Sequence, residues 1–247
     1  MRLHHGLEPN KNERTHILSE TKATKERMAN VQQKHDLIKG MNPRQAEAVL
    51  ATEGPLLIMA GAGSGKTRVL THRMAYLLEE KSVNPWNILA ITFTNKAAKE
   101  MRERADTLLG VSGIKTRPQF ATFHALGVML LREDGHRLGI PRNFTIADES
   151  ETSSFIKEAM KKEGIDPKQY EPKKVRGIIS REKGAGTNLE DYASGVASGF
   201  GDIVASVWRS YERILVREHA LDFDDLLLRS WQLLDGYEDV RRSEEHT

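Results

Sequence analysis

The stretch that decides the fold reads Leu56-Leu57-Ile58-Met59-Ala60-Gly61-Ala62-Gly63-Ser64-Gly65-Lys66-Thr67. Its first five residues, introduced by Pro55, form a short uninterrupted apolar run with the length of a buried parallel strand. Ala60 to Thr67 then follow the P-loop spacing G-x-x-x-x-G-K-[ST], with alanine at the leading position. From Lys66 onward, Val69, Leu70, Met74, Leu77 and Leu78 recur near helical spacing. The chemistry explains the order of strand, bend and helix. Small residues let backbone N–H groups curl around phosphate oxygens, and the helix directs the positive end of its dipole at them. Lys66 is then placed to reach the β and γ phosphates, and the Thr67 hydroxyl to join a Mg²⁺ shell. The competing reading is a plain Gly/Ala turn with an incidental lysine. The strand-turn-helix context favours phosphate binding.

Working outward, Asn42-Pro43 starts a helix, with asparagine as cap and proline in the first turn; Ala46, Val49 and Leu50 give it an apolar side. After the bend and its helix, Asn84-Pro85 breaks the pattern, and Ile88 to Phe93 reads as a second buried strand. Asn95 is expected to cap a helix from Lys96 to Arg104. Phe120 to Phe123 suggests a third strand, followed by a helix from about Ala125 to Leu138. Strands alternating with helices predict an α/β domain with a parallel sheet. From about Glu149 to His219 the pattern turns helical, over Ser153 to Lys162, Pro172 to Lys183 and Asp202 to His219. A last helix begins near Asp222. The expected organisation is a polar extension over 1–40, an ATP-binding α/β domain over 41–145 and 220–247, and a helical insertion over 146–219.

Bulk properties narrow the function classes. The 247 residues carry no cysteine, which excludes disulfides and thiolate metal sites and suits a reducing, cytoplasmic setting. No stretch approaches the roughly 20 apolar residues of a membrane span, and residues 1–40 contain no apolar signal-peptide core. Net charge is only +2, so any nucleic-acid site has to be a local basic or aromatic groove.

Gln45 lies on the first helix, fifteen residues before Ala60. A side-chain amide both donates and accepts, which suits an adenine edge; a solvated surface glutamine is the plain alternative. Its neighbours strengthen the first reading. Met41 to Val49 resembles the glutamine motif of superfamily 1 helicases of the UvrD/Rep/PcrA type. Ala60 to Thr67 with Arg68 to Arg73 resembles their first motif, where a leading alanine is usual. Ile91 to Met101 is similar to motif Ia, Thr122-Phe123-His124-Ala125 to motif Ib, and Leu221 to Leu227 to the segment returning from the inserted subdomain. The five blocks stand in family order over residues 41 to about 235.

The resemblance implies a RecA-like P-loop NTPase sheet carrying an inserted helical subdomain, incomplete in this chain. It also implies ATP and Mg²⁺ as cofactors, with Gln45, Ala60, Gly61, Ala62, Gly63, Ser64, Gly65, Lys66, Thr67 and Arg68 at the nucleotide and Thr67 at the metal. Phe93, Thr94, Asn95, Lys96, Thr122, Phe123 and His124 are implied along a single-stranded DNA path. An aromatic ring is a sequence-blind stacking platform worth about 1–3 kcal/mol per base. Hydroxyls, amides and a helix N-terminus hold phosphates without reading sequence. The alternatives are that Phe93 and Phe123 are core residues and that His124 is a buried, hydrogen-bonded histidine; no metal constellation accompanies it. Partners implied are single-stranded DNA, a duplex junction, and repair or replication proteins. Polarity, 3′ to 5′, follows from the resemblance alone. A non-hydrolysing ATP- and DNA-binding module and a RecB-type helicase-nuclease subunit are the competing readings.

Two further clusters carry open alternatives. Asp222, Asp224 and Asp225 read as a helix cap with first-turn acids, against a cation site. Lys161-Lys162 and Pro172-Lys173-Lys174-Val175-Arg176 read as a solvated helix surface, against a duplex contact. Phosphoryl chemistry also needs an acidic strand end to hold Mg²⁺ and a group to orient water. In helicases of this type an Asp-Glu pair supplies both, after an apolar strand beyond the Asp-Phe-Asp-Asp segment, and none follows Asp225 here. The expectation is that this polypeptide alone neither unwinds DNA nor hydrolyses ATP. The ending Arg242 to Thr247 departs from the family pattern and reads like a translated sequencing-adapter fragment, so a longer natural protein is expected.

Overall fold

A computed structural model describes residues 37–111, 117–196 and 199–246. They fall into two compact units, one of residues up to Ala90 with Lys99–Phe120, the other of Ile91–Ala98 with Ala121 onward. Most of the 1–40 extension lies outside the described residues; Leu37 and Ile38, however, pack into the first unit's core.

The first unit holds α1 (Pro43–Leu50) and α2 (Lys66–Glu79). Asn42 caps α1 by accepting from Gln45 N, and Pro43 stands in its first turn. Val49 on α1 meets Val69, Met74, Ala75 and Leu78 on α2, with Met101, Ala105, Leu109 and Phe120 completing the core. β1 (Leu89–Thr92), α3 (Asn95–Val111) and β2 (Gln119–Thr122) follow, and β1 and β2 pair as a two-stranded sheet. The expected strand at Leu56–Ala60 is not formed. Residues 55–60 pair with no strand among the described residues, and Leu57 and Met59 are 85% and 90% exposed. An apolar run becomes a central strand only when neighbours pair with both its edges. The helix after it needs no such partner and forms from Lys66 as expected.

The second unit contains α4 (Phe123–Asp134), a 3₁₀ turn at Gly135–Leu138, β3 (Thr145–Ile146), α5 (Glu149–Lys162), α6 (Pro172–Gly184) and α7 (Leu189–Gly195). It ends with α8 (Phe200–Arg217), β4 (Ala220–Leu221), α9 (Phe223–Gly236) and α10 (Glu238–His246). Several sequence boundaries move: α3 runs past Arg104 to Val111, α5 starts at Glu149 before Ser153, and α8 spans Phe200–Arg217 against the expected Asp202–His219. Phe123 opens α4 instead of closing β2, because Thr122 accepts from Ala125 N and so caps the helix. α4 ends at Asp134, and the 3₁₀ turn takes the chain on to Leu138. Thr94, not Asn95, caps α3: its hydroxyl accepts from Ala97 N and its carbonyl from Ala98 N.

β3 and β4 are parallel, Thr145 opposite Ala220 and Ile146 opposite Leu221. This short ladder stands between two cores. One is drawn from Ala147 to Ala220, around Ile156, Met160, Trp208, Tyr211 and Ile214. The other joins Leu130, Leu131, Ile140 and Phe144 to Leu221, Leu226, Leu233 and Val240. α8 supplies the first core's densest row, with Val204, Val207, Trp208, Tyr211, Ile214 and Leu215 at helical spacing. Each such large side chain adds about 1.5–3 kcal/mol on burial, an upper estimate. Among the described residues no helix is long and apolar enough to cross a membrane.

Candidate functional site

In the first unit the bend before α2 is shaped by two left-handed glycines, Gly63 at φ 73° and Gly65 at φ 83°. A side chain is strained at such φ values. Gly65 also stands at the N-cap of α2 with no side-chain cap hydrogen bond, so the first-turn amides keep their anion-binding character. Ala62, Gly63 and Ser64 are exposed, and Thr67 is half-buried. Ser64 Oγ donates to the Gly61 carbonyl at 2.7 Å. Lys66 Nζ folds back on its own loop, donating to Ala60 O at 3.0 Å and Gly61 O at 2.7 Å. Both contacts are exposed, so water screens them and each holds the ammonium only weakly. An ionised acceptor would bind this ammonium more strongly than the carbonyls do.

Gln45 uses both ends of its amide. Its Oε1 accepts from Asn42 N at 3.0 Å, completing the cap of α1, and its Nε2 donates to Ser64 O at 2.9 Å. A Cβ on Gly65 would stand 3.0 Å from that Nε2. The glutamine therefore ties the first helix to the bend. Arg68 does not turn toward the bend; its guanidinium donates to Lys39 O at 3.1 Å and Gly40 O at 3.3 Å. His72 Nδ1 lies 2.6 Å from Leu37 O, and Arg73 donates to the carbonyls of Ala48 and Ala51 at the end of α1. Three polar side chains of α2 thus fix the segment that carries Gln45.

In the second unit the aromatic residues come together. Phe93 is 89% exposed, which excludes the core alternative for it. Its ring lies 5.4 Å from that of the half-exposed Phe123, tilted by 46°. The first turns of α3 and α4 begin beside these rings, one with exposed Asn95 and Lys96, the other with His124. The hydroxyls of Thr94 and Thr122 are engaged as caps, so both residues shape the face through the backbone. His124 is half-buried and packs edge-on against Phe223, 5.7 Å between centroids. The sequence reading missed Phe223, because it took the aspartates around it as the informative residues.

Those aspartates answer to a lysine. Lys183 of α6 is buried, and its Nζ lies 2.9 Å from each of Asp222, Asp225 and Glu212. Tyr211 donates its hydroxyl to Asp222 at 2.8 Å, and Arg229 pairs with Glu212 at 3.2 Å. Asp222 caps α9 and shares a capping box with Asp225. Burial alone depresses the Lys183 ammonium, but the three carboxylates overcome it and hold its pKa well above the usual lysine range. Burial also pushes Asp225 up to about 7, while Lys183 outweighs burial at Asp222 and Glu212 and holds both below their usual values. Burial raises Asp224 as well. Of the basic stretches, Lys162 pairs with Glu158, Arg176 with Glu149, and Lys174 covers the Phe200 ring at 5.2 Å. A sequence signal for Lys183 existed. It continues the four-residue spacing of Val175 and Ile179, both buried, and so falls on the apolar face of its helix.

Comparison with known proteins now places the chain. Residues 41–247 match the UvrD/REP helicase N-terminal domain. The chain belongs to this family. It is 49% identical over 207 residues to the ATP-dependent DNA helicase PcrA of Bacillus subtilis (strain 168), covering 83% of this chain and 28% of the relative. It is 52% identical over 199 residues to the protein of that name from Staphylococcus epidermidis (strain ATCC 35984), covering 81% and 27%. The corresponding Staphylococcus aureus (strain COL) protein is 50% identical over 204 residues, covering 83% and 28%. The chain therefore spans under a third of the length of these relatives. The UvrD/REP match includes the glutamine segment, the glycine bend, the aromatic face and the start of α9.

Proposed function

We propose that this chain is the part of a 3′–5′ DNA helicase motor that holds ATP in a P-loop, RecA-like fold and grips single-stranded DNA. Two surfaces of different chemistry, one in each unit, carry the reading. One is a glycine bend at a side-chain-uncapped helix start, tied to Gln45 by a 2.9 Å hydrogen bond. The other is an exposed aromatic pair where two helices begin. The donor set fits a triphosphate: amides of α2, the Lys66 ammonium, and glycines whose lack of a side chain lets phosphate approach. Thr67 would hold Mg²⁺ through its hydroxyl, and the metal supplies charge neutralisation of the phosphates. Lys66 would exchange the Ala60 and Gly61 carbonyls for the phosphates. Ala60 to Gly65 contribute backbone, and Gln45 positions the bend and selects the base. Arg68 acts on nucleotide binding by holding Lys39 and Gly40 in place.

On the other surface Phe93 and Phe123 stack bases. Thr94, Asn95, Lys96, Thr122 and His124 line the phosphate path with helix-start amides and polar side chains. Such a grip is blind to sequence, as a translocating motor requires. Residues 146–219 form the inserted helical subdomain, and the parent domain takes 41–145 and 220 onward. In the whole protein the partners are single-stranded DNA, the duplex junction ahead of it, and repair or replication proteins. The 247-residue polypeptide alone binds without turnover, because the Asp-Glu pair expected beyond Asp225 is not in its sequence.

The test has three arms. Equilibrium dialysis with ATP and Mg²⁺ is expected to show nucleotide retention that Lys66→Ala abolishes while circular dichroism stays unchanged. Fluorescence anisotropy is expected to show binding of labelled oligo(dT) that weakens in Phe93→Ala. Steady-state ATPase assays with oligo(dT) are expected to show no stimulated turnover. A folded chain that retains no adenine nucleotide overturns the reading, and Lys66-dependent turnover overturns the claim of binding without hydrolysis.

A further inference from the structure

We infer that Lys183 is a positioning residue for the nucleic-acid face, acting from α6 through the first turn of α9. The inference rests on the DNA reading of Phe93, Phe123 and His124 given above. α9 has two anchors. Along its length it packs against α4 so closely that Gly127 of α4 has no room for a Cβ beside Leu226 O. At its start, among the described residues, Lys183 is the one cation at hydrogen-bond distance, because Arg229 Nε stands 3.8 Å from Asp225. The Lys183 ammonium donates to Asp222 Oδ2 and Asp225 Oδ1, the two members of the capping box. Phe223 lies between them in sequence and leans on the edge of His124, which follows Phe123 in α4. The path from the lysine to the DNA face is therefore Lys183, the Asp222–Asp225 box, Phe223, His124.

The choice of residue supports a directional role. A buried ion cluster is weak as a source of stability, since apolar residues of equal volume often serve as well or better. What apolar packing cannot do is fix a helix start by bonds of defined direction. Lys183 does this with two hydrogen bonds, to Asp222 and Asp225, and pairs with Glu212 of α8 at 2.9 Å. Asp222 is further held by the Tyr211 hydroxyl, and Glu212 by Trp208 Nε1 at 2.9 Å and by Arg229. α6 and α8 both belong to the core between Ala147 and Ala220, so the inserted helices set the register of the α9 start.

The test uses the full 247-residue chain and the double variant Lys183→Met/Asp225→Asn. This variant removes one cation and one carboxylate together and leaves no additional uncompensated charge. Three measurements are made: thermal unfolding, retention of ATP with Mg²⁺, and affinity for fluorescein-labelled oligo(dT). The expected result is a folded chain that retains ATP as the unmodified protein does but binds oligo(dT) about tenfold more weakly, the loss of roughly one base–aromatic contact. In a Phe223→Ala background the same double change is expected to add nothing, because the route through Phe223 is already cut. Unchanged oligo(dT) affinity overturns the proposal, and so does a full additional loss in the Phe223→Ala background. If the double variant does not fold, Asp222→Asn replaces it, since asparagine keeps the cap oxygen but gives up the charge that Lys183 holds; a several-fold loss supports the proposal and no loss overturns it. Failure of the unmodified chain to bind oligo(dT) overturns the DNA reading itself, and the positioning role with it.

Discussion

Replacing Gly127 by alanine sets two effects of similar size against each other, and the structure decides the winner. In a helix interior alanine is favoured over glycine by about 1 kcal/mol. At Gly127, however, the new Cβ would stand 2.5 Å from Leu226 O, 3.3 Å from the Leu226 carbonyl carbon and 3.0 Å from Ser230 Oγ. Carbon contacts relax near 3.5 Å, so α4 and α9 must separate by about 1 Å. Ser230 Oγ bonds back within α9 to Leu226 O at 2.6 Å and reaches across the contact to Gly127 O at 3.3 Å, and Leu130, Leu131, Leu226 and Leu233 pack around it. Forcing a methyl into such packing costs about 1–3 kcal/mol. Gly127→Ala is therefore expected to lower stability by up to about 2 kcal/mol net. Gly177 is the control. It stands within α6 with nothing inside 4 Å of an added Cβ, so Gly177→Ala is expected to raise stability by up to about 1 kcal/mol. Urea unfolding followed by far-ultraviolet circular dichroism reads both as opposite shifts of the midpoint. A Gly127→Ala midpoint that rises as far as that of Gly177→Ala refutes the close approach of the two helices. Weaker oligo(dT) binding by Gly127→Ala is expected as well, since α4 carries Phe123 and His124.

Further outcomes follow from the polar groups. Asp222→Ala removes the α9 cap together with the acceptor of Tyr211 and one partner of Lys183. It should cost about 3–5 kcal/mol, with Asp222→Asn milder by the cap's share of roughly 1 kcal/mol; equal midpoints for the two in urea would deny the cap. Asp225 is pushed up to about 7 from 3.8, so the folded state holds a proton that the unfolded state releases, and stability from this group falls as pH rises from about 4 to 7. Asp222 and Glu212, held below 3.8 and 4.5, act in the opposite sense but only below about pH 5. Thermal melts between pH 5 and 7 should decline in the unmodified chain and flatten in Asp225→Asn, and an equal decline in both contradicts the assignment. Gln45→Glu keeps the oxygen that caps α1 but loses the Nε2 donor to Ser64 O. Dialysis should show weaker ATP retention at an unchanged melting temperature, whereas unaltered retention separates Gln45 from the nucleotide.

Much of this protein was legible in the residues because the signals act over a few positions. Asn42-Pro43 opens a helix, and Asp222 caps another, through bonds made within three residues. Gly63 and Gly65 mark a bend since only glycine takes those φ values without strain. The rows on α2 and α8 follow helical periodicity, and the order of residues over 41–247 carries the UvrD/REP likeness. Exposure was harder to foresee. Phe93 and Phe123 have the composition of core residues, and only the packed unit leaves them at the surface as a pair. The hydroxyls of Thr94 and Thr122 each accept from a helix-start amide, a second role their residue type alone did not reveal.

Sequence alone placed most helices to within a few residues and marked where the chain bends, since each depends on neighbours along the chain. Tertiary structure decided what those groups touch. Gln45 reaches Ser64 across 19 positions, and Arg68 reaches back 28 positions to Gly40. Lys183 joins Asp222 and Asp225 across 39 and 42 positions. A strand at Leu56–Ala60 likewise depended on pairing that the local pattern could not supply. Local propensity sets the shape of a few residues, whereas burial of a charge or pairing of a strand edge is set by whatever distant segment packs beside it.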